Sequence, residues 1–320
     1  KMFFLQLRLM MLLAALFGIV FAVVVMVGAY LGINNFFFYV FAAVGIMFFQ
    51  FMIGPKMVEW TMRVKYVIRK EYPRLFEMVE ALAIRAEIPM PRIGIAQIAL
   101  PNAFAFGRGI KDGRVCVTQG ILNLLDEREL KAVLGHELSH LKNRDVLTIS
   151  LLSVIPMVMY WIYWRFVFAG HRRNERGSNT LLIGLAAFIC YMITNLLVLY
   201  GSRIREYFAD RGSINLGNSP SSLASALYKL VYGAARIDSE SLKEVEGLKA
   251  FFASDPSQAR NEIRELKSLD RDQSGSIEPS ELEALRSKNI KVSFGDKLME
   301  LYSTHPNMLK RIKQLSEYKA

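Results

Sequence analysis

Two histidines four residues apart, in His136-Glu137-Leu138-Ser139-His140, are the residues of this chain best suited to chemistry. On a helix that spacing puts both imidazoles on one face with Cβ atoms about 5–6 Å apart, within reach of one metal ion. Glu137 is displaced around the helix from His136, so it can approach a water at the metal rather than ligate. Zinc lowers the pKa of such a water to about 7, and a carboxylate can then take its proton as it attacks an amide carbonyl. The bland reading, paired surface histidines on a polar helix, leaves Glu137 without a task.

A zinc centre with an open water position needs a third protein ligand. His171, His305 and a carboxylate are the candidates. An apolar segment long enough to span a membrane separates His171 from the motif and excludes it. Glu206 and Asp210 share one helical face at i, i+4 in Ser202–Asp210. Glu206 can bind the metal while Asp210 accepts a hydrogen bond from the far nitrogen of a ligand histidine, fixing its tautomer.

The elements that must position these residues begin with four segments free of charged side chains: Leu9–Leu31, Phe36–Gly54, Val146–Trp164 and Thr180–Ser202. Roughly 20 apolar residues cross a hydrocarbon core, and a hydrophobic fraction of 52% with mean hydropathy +0.24 fits a membrane protein. The second segment follows the first after four residues and no small-residue cleavage site intervenes, which argues against a cleaved signal peptide. Because Val146–Trp164 and Thr180–Ser202 form an antiparallel hairpin, the His-containing helix before it and Glu206 after it emerge on one membrane face.

The net charge of +11 and pI of 9.6 do not point to nucleic acid, since no nucleic-acid-binding motif is present. The excess flanks the spans instead: Lys56, Arg63, Lys65, Arg69, Lys70 and Arg74 stand against Glu59 and Glu71. Basic flanks are retained in the cytoplasm and attract anionic headgroups. The expected topology is therefore multi-pass in the cell membrane with both termini and the catalytic residues cytoplasmic, although Arg172, Arg173 and Arg176 then lie outside. Cys190 sits in a span and Cys116 in a strand, so no disulfide is expected.

The expected domains are a transmembrane hairpin at 9–54, a first protease segment at 55–145, a second hairpin at 146–202 and a second protease segment at 203–320. Glu77–Glu87 reads as an amphipathic helix and Ile93–Ile98 as a strand. Ala103–Ile110 and Arg114–Thr118 flank the hairpin signal Asp112-Gly113, giving a small antiparallel sheet in a mainly α fold. A helix starts near Asp126, and Ser303-Thr304-His305-Pro306 is expected to start the last one.

A second metal candidate lies in an expected insertion at 235–295. Asp270, Asp272, Ser274, Ser276, Glu278 and Glu281 surround Gly275 and Ile277 with the spacing of the twelve-residue calcium loop of an EF-hand. An ordinary Asp/Ser/Gly turn uses the same residue types.

Taken together, His136–His140 with Asn143-Arg144-Asp145, Arg205-Glu206-Tyr207-Phe208-Ala209-Asp210, Pro101–Ala105 and Thr304-His305-Pro306 resemble the M48 family of membrane zinc metallopeptidases, and within it the bacterial and archaeal heat-shock proteases. The resemblance runs in order along most of the chain. It implies a gluzincin-type domain holding one zinc, with Glu137 as base and Glu206 as third ligand, and stress-response cleavage of membrane or misfolded proteins. It also implies that Asn102, Ala103, Phe104 and Ala105 form an edge strand that pairs with extended substrate, and that His305 lies near the site to stabilise the oxyanion. A histidine packed at a helix start remains the alternative for His305. Arg203 and Arg205 have Asp145, Asp210, substrate or lipid headgroups as candidate partners. The expected enzyme is a membrane-anchored zinc endopeptidase. The alternatives are a prenyl-peptide (CAAX-type) endopeptidase and a catalytically silent calcium-responsive membrane scaffold.

Overall fold

The computed structural model describes residues 48, 51–98, 100–145, positions scattered through 148–167, and residues 177–235, 266, 269–287 and 294–318. The chain divides into two compact units, 1–53 with 147–204 and 54–146 with 205–320. The spans expected at 9–31, 36–54 and 146–164 lie wholly or largely outside the described residues.

In the first unit, helix α4 (Gly177–Asn215) contains the fourth expected span and continues beyond it. Among the described residues it is the one helix long and apolar enough to cross a membrane. Leu182, Leu185 and Ile189 are exposed, and the Thr194 hydroxyl donates to the Cys190 carbonyl at 2.7 Å, so its polar group is satisfied within the helix.

In the second unit, β1 (Val64–Tyr66), β2 (Arg92–Ala96), β3 (Ala103–Phe106) and β4 (Arg114–Thr118) form one sheet in the order β1-β2-β4-β3. The sheet is mixed, which corrects the antiparallel expectation: β2 pairs β4 in parallel, and the other two pairings are antiparallel. The cause is topological. β3 and β4 pair antiparallel as expected, although β3 stops at Phe106 and a 3₁₀ turn over Ile110–Asp112 replaces the expected tight hairpin. Strand β4 then inserts between β3 and β2 and runs with β2. β1 was not expected, because three residues carry too little periodicity to read.

Helix α1 (Pro73–Ala86) begins on Pro73, whose missing N–H costs nothing at that position, and ends on Glu87 in the left-handed region at φ 56°. After β4 come α2 (Gln119–Leu124) and α3 (Glu127–Lys142), the helix carrying both histidines. Asp126 caps α3: its carboxylate accepts from the Arg128 and Glu129 amides, and Glu129 returns a bond to the Asp126 amide. Glu129 is buried, and Ser225 and Lys229 of α5 (Pro220–Ala235) donate to its oxygens at 2.6 and 2.9 Å. Helix α3 thus packs between α1, α5 and β3 at the centre of the core.

The carboxyl-terminal elements are α6 (Pro279–Arg286), α7 (Phe294–Leu301) and α8 (Met308–Leu315). The last helix does not start at Ser303: residues 303–307 are non-helical, and the Asn307 side chain caps α8 by accepting from the Leu309 amide at 3.0 Å. Pro306 immediately before this cap fits that boundary.

Helix α3 and the residues of α4 beyond 204 approach closely. A Cβ built on Gly212 would lie 1.9 Å from Ser139 Oγ, and one on Gly135 would lie 2.3 Å from Asn218 Nδ2. The Ser213 hydroxyl donates to the Ala132 carbonyl at 2.6 Å across the same seam. Gly212→Val is expected to destabilise the protein by overpacking, by about 1–3 kcal/mol or more, and to lower its metal content. Thermal unfolding checks this, and an unchanged midpoint would refute the seam argument.

Candidate metal centre

Three donors converge where α3 meets α4. The Nε2 atoms of His136 and His140 lie 3.0 Å apart. Glu206 Oε1 lies 3.4 Å from His140 Nε2, and Glu206 Oε2 lies 3.6 Å from His136 Nε2. One donor atom from each of the three residues fits within 4.8 Å of the others. His136 and Glu206 are buried, and His140 is partly so.

Each imidazole is oriented from behind. His136 Nδ1 faces Asp210 Oδ1 at 2.9 Å, and His140 Nδ1 faces Asp145 Oδ2 at 2.6 Å. A carboxylate accepts, so both rings donate from Nδ1 and in their neutral form present a lone pair at Nε2. Two lone pairs 3.0 Å apart beside a carboxylate repel one another unless a cation lies between them. Glu206 Oε2 is also buried without an aligned hydrogen bond. This donor set, two imidazoles and one carboxylate, fits a divalent ion such as zinc in an open site.

The carboxylates make the site attractive to positive charge, whether on the rings or on a bound cation. Burial disfavours the charged form of both rings, yet Asp210 and Glu206 at His136, and Glu206 and Glu137 at His140, outweigh it and raise both pKa values. Burial likewise pushes the Glu137 carboxyl above the ordinary carboxylate value, with the two histidines pulling the other way.

The placement of the other expected residues is uneven. Glu137 is buried beside the donors and accepts a hydrogen bond from the Ala105 backbone, which ties it to β3. His305 comes to the site, with Nδ1 3.2 Å from Glu206 Oε2 and neither ring nitrogen in an aligned hydrogen bond. β3 is an edge strand. The Thr118 amide donates to the Asn102 carbonyl, so by antiparallel alternation the backbone groups of Phe104 and Phe106 face β4 and those of Ala103 and Ala105 point away from it, a side on which no further strand pairs among the described residues. Asn102 and Phe104 are buried inward. Arg205 finds Asp145, with which it forms an ion pair, and its Nη2 donates to the Asn143 carbonyl at 3.3 Å.

Asp145 and Arg311 are the participants that sequence reasoning missed in these roles. Arg311 is 1% exposed. It donates from Nε and Nη2 to the two Asp210 oxygens at 2.9 and 2.6 Å, and its Nη1 lies 3.0 Å from Glu206 Oε2. A signal existed: Arg311 falls on the buried stripe of α8 formed by Met308, Ile312 and Leu315.

The expected calcium loop has Gly275 at φ +80°, and carboxylate oxygens of Asp270, Asp272 and Glu281 lie within 4.8 Å of one another. The Glu278 carboxylate is not in that group. Its carboxylates already have protein partners: Asp270 accepts from Tyr228 and from the Ser274 and Gly275 amides, and Glu281 accepts from the Arg271 and Glu278 amides.

With this geometry in hand, comparison with known proteins places the chain. Residues 69–319 match Peptidase family M48. A protease HtpX homolog of Methanothermobacter thermautotrophicus is 52% identical over 227 residues, covering 71% of this chain and 86% of that protein. Another, of Moorella thermoacetica, is 36% identical over 312 residues, covering 96% of this chain and 90% of that protein. Among solved structures, S. mikatae Ste24p shares the fold with a TM-score of 0.53 at 16% identity, covering 98% of this chain and 65% of its own. The chain belongs to peptidase family M48 and is a metalloprotease, an enzyme that hydrolyses peptide bonds in protein substrates.

Proposed function

We propose that this chain is a four-span membrane zinc endopeptidase that cleaves membrane or misfolded proteins at the cytoplasmic face in protein quality control. The observation that carries the catalytic part is the convergence of His136, His140 and Glu206 next to a buried, β3-tethered Glu137. Support for the membrane part is the long apolar helix α4 together with the three further uncharged segments and basic flanks of the sequence. HtpX-named relatives at 52% and 36% identity favour this reading over a prenyl-peptide endopeptidase, since the likeness to Ste24p at 16% identity speaks for fold alone.

His136, His140 and Glu206 would hold one zinc ion, with Asp210 and Asp145 orienting the rings. When bound, zinc supplies the Lewis acidity that makes a water nucleophilic and polarises the scissile carbonyl. Glu137 takes the proton of the attacking water and returns it to the leaving amine. An extended substrate adds to the edge of β3 through the Ala103 backbone and the Ala105 carbonyl, the Ala105 amide being held by Glu137, and such a contact reads no side chain and so tolerates many sequences. His305 donates to the developing oxyanion. Zinc analysis and casein cleavage by the purified protein test the reading: chelator-sensitive cleavage restored by zinc is expected, and a metal-free protein that cleaves casein equally well would sink it. A catalytically silent scaffold would not need Glu137 beside three donors.

A calcium role for the 270–281 loop is a separate proposal, favoured by the spacing of its carboxylates. Intrinsic fluorescence should respond as calcium is titrated, and no response in the millimolar range rejects it.

A further inference from the structure

Both ligand histidines are backed by a carboxylate, and both carboxylates are held by an arginine: Asp145 by Arg205, and Asp210 by Arg311. The two braces differ in one respect. Besides Asp145, Arg205 reaches only the Asn143 carbonyl among the contacts described, whereas Arg311 extends a further nitrogen to Glu206, itself a donor to the metal. We infer that Arg311 is a positioning residue that fixes the third ligand, holding Glu206 by Oε2 so that it offers the metal Oε1 alone. The inference rests on the zinc reading above.

Geometry argues for this. Glu206 and Asp210 stand one turn apart on α4, and the Arg311 guanidinium spans both, taking the two Asp210 oxygens as a fork and Glu206 Oε2 with its remaining nitrogen. The Nη1–Oε2 approach at 3.0 Å is a charge contact without an aligned hydrogen bond, and its attraction restrains that oxygen. Glu206 Oε1 has no contact with Arg311 among those described and faces His140 Nε2 at 3.4 Å. A carboxylate free to rotate could bind through both oxygens and crowd the open coordination position that catalysis requires. A buried carboxylate with one oxygen tethered cannot. The cation also offsets the burial of Glu206 and Asp210 together, which would otherwise be costly.

A purely structural bridge makes a different forecast. Arg114 supplies the comparison: it is equally buried and also bridges two carboxylates, Asp112 at 3.0 Å and Glu59 at 2.9 Å, but remote from the donors. Lysine cannot reproduce a guanidinium fork at either position, because its three donors radiate from one nitrogen and cannot reach carboxylates met by separate guanidinium nitrogens. Full-length Arg311→Lys and Arg114→Lys proteins, loaded with zinc, should both melt at lower temperature than wild type. Only Arg311→Lys should release zinc faster to excess chelator, by about 10–100-fold, the range seen when outer partners of metal ligands are lost. X-ray absorption on zinc-loaded wild type should show one carboxylate oxygen bound.

Equal zinc release from wild type and Arg311→Lys overturns the inference while leaving the zinc reading intact. So does a wild-type spectrum with two Glu206 oxygens at bonding distance, a measurement that decides the matter even if Arg311→Lys does not fold. A wild-type protein that takes up no zinc removes both the metal reading and this inference.

Discussion

Glu137→Gln is expected to reduce kcat/KM on casein by about 10²–10⁴-fold, the contribution typical of a general base, while the protein keeps its zinc and its melting temperature. Glutamine matches the carboxylate in volume and can still accept the Ala105 amide through its carbonyl oxygen, so β3 and α3 stay tied. What it loses is basicity. Substrate binding at the open side of β3 uses backbone groups and should persist, so the loss should fall on kcat and leave KM nearly unchanged. The pH profile adds a check. Burial raises the Glu137 carboxyl above the ordinary carboxylate value, and a base works only when ionised. Wild-type kcat/KM should therefore climb with pH along an acid limb set by Glu137, which burial pushes up and a bound zinc ion pulls down, and that limb should vanish from the residual activity of Glu137→Gln. A variant that cleaves at the wild-type rate would show that another group takes the proton.

How much of this was readable in advance depends on how local each feature is. His136 and His140 are brought together by one turn of one helix, so spacing alone sufficed. Glu206 lies 66 positions beyond His140, yet the hairpin of spans expected between them narrows where the chain can return, and that expected constraint pointed to it. Asp145 stands just past the end of α3, where Arg144 takes a left-handed conformation at φ 55°, and the helical pattern carries no information about such a turn. Arg311 comes from α8, and its role is set by tertiary packing. In the sequence it is one cation among Lys310, Arg311 and Lys313. The mixed sheet was unreadable for a related reason. Alternation marks a strand, but which neighbour it joins depends on where the chain crosses, and β4's insertion beside β2 is a long-range choice.

Glu206→Ala should abolish zinc retention under dialysis and with it all chelator-sensitive cleavage. Its effect on affinity should exceed the roughly 10–100-fold loss expected for an outer partner such as Asp210, because it removes a donor rather than the support of one. The two imidazoles alone would be left to hold the ion, with a third position open to solvent. The charge balance makes a second forecast. Arg311, 1% exposed, now answers two carboxylates, and after Glu206→Ala it answers only Asp210. Breaking one partner of a buried ion pair commonly costs about 3–5 kcal/mol, but here Asp210 still takes the fork, so a smaller fall in melting temperature is expected than for loss of the arginine. Glu206→Gln separates the two effects, since it keeps the shape and an oxygen but not the charge. It should melt closer to wild type and retain zinc only weakly. If Glu206→Ala still binds one zinc per chain after dialysis against chelator, the carboxylate is not a ligand and the site must be rebuilt around another donor, with His305, 3.2 Å from that carboxylate, the first to test.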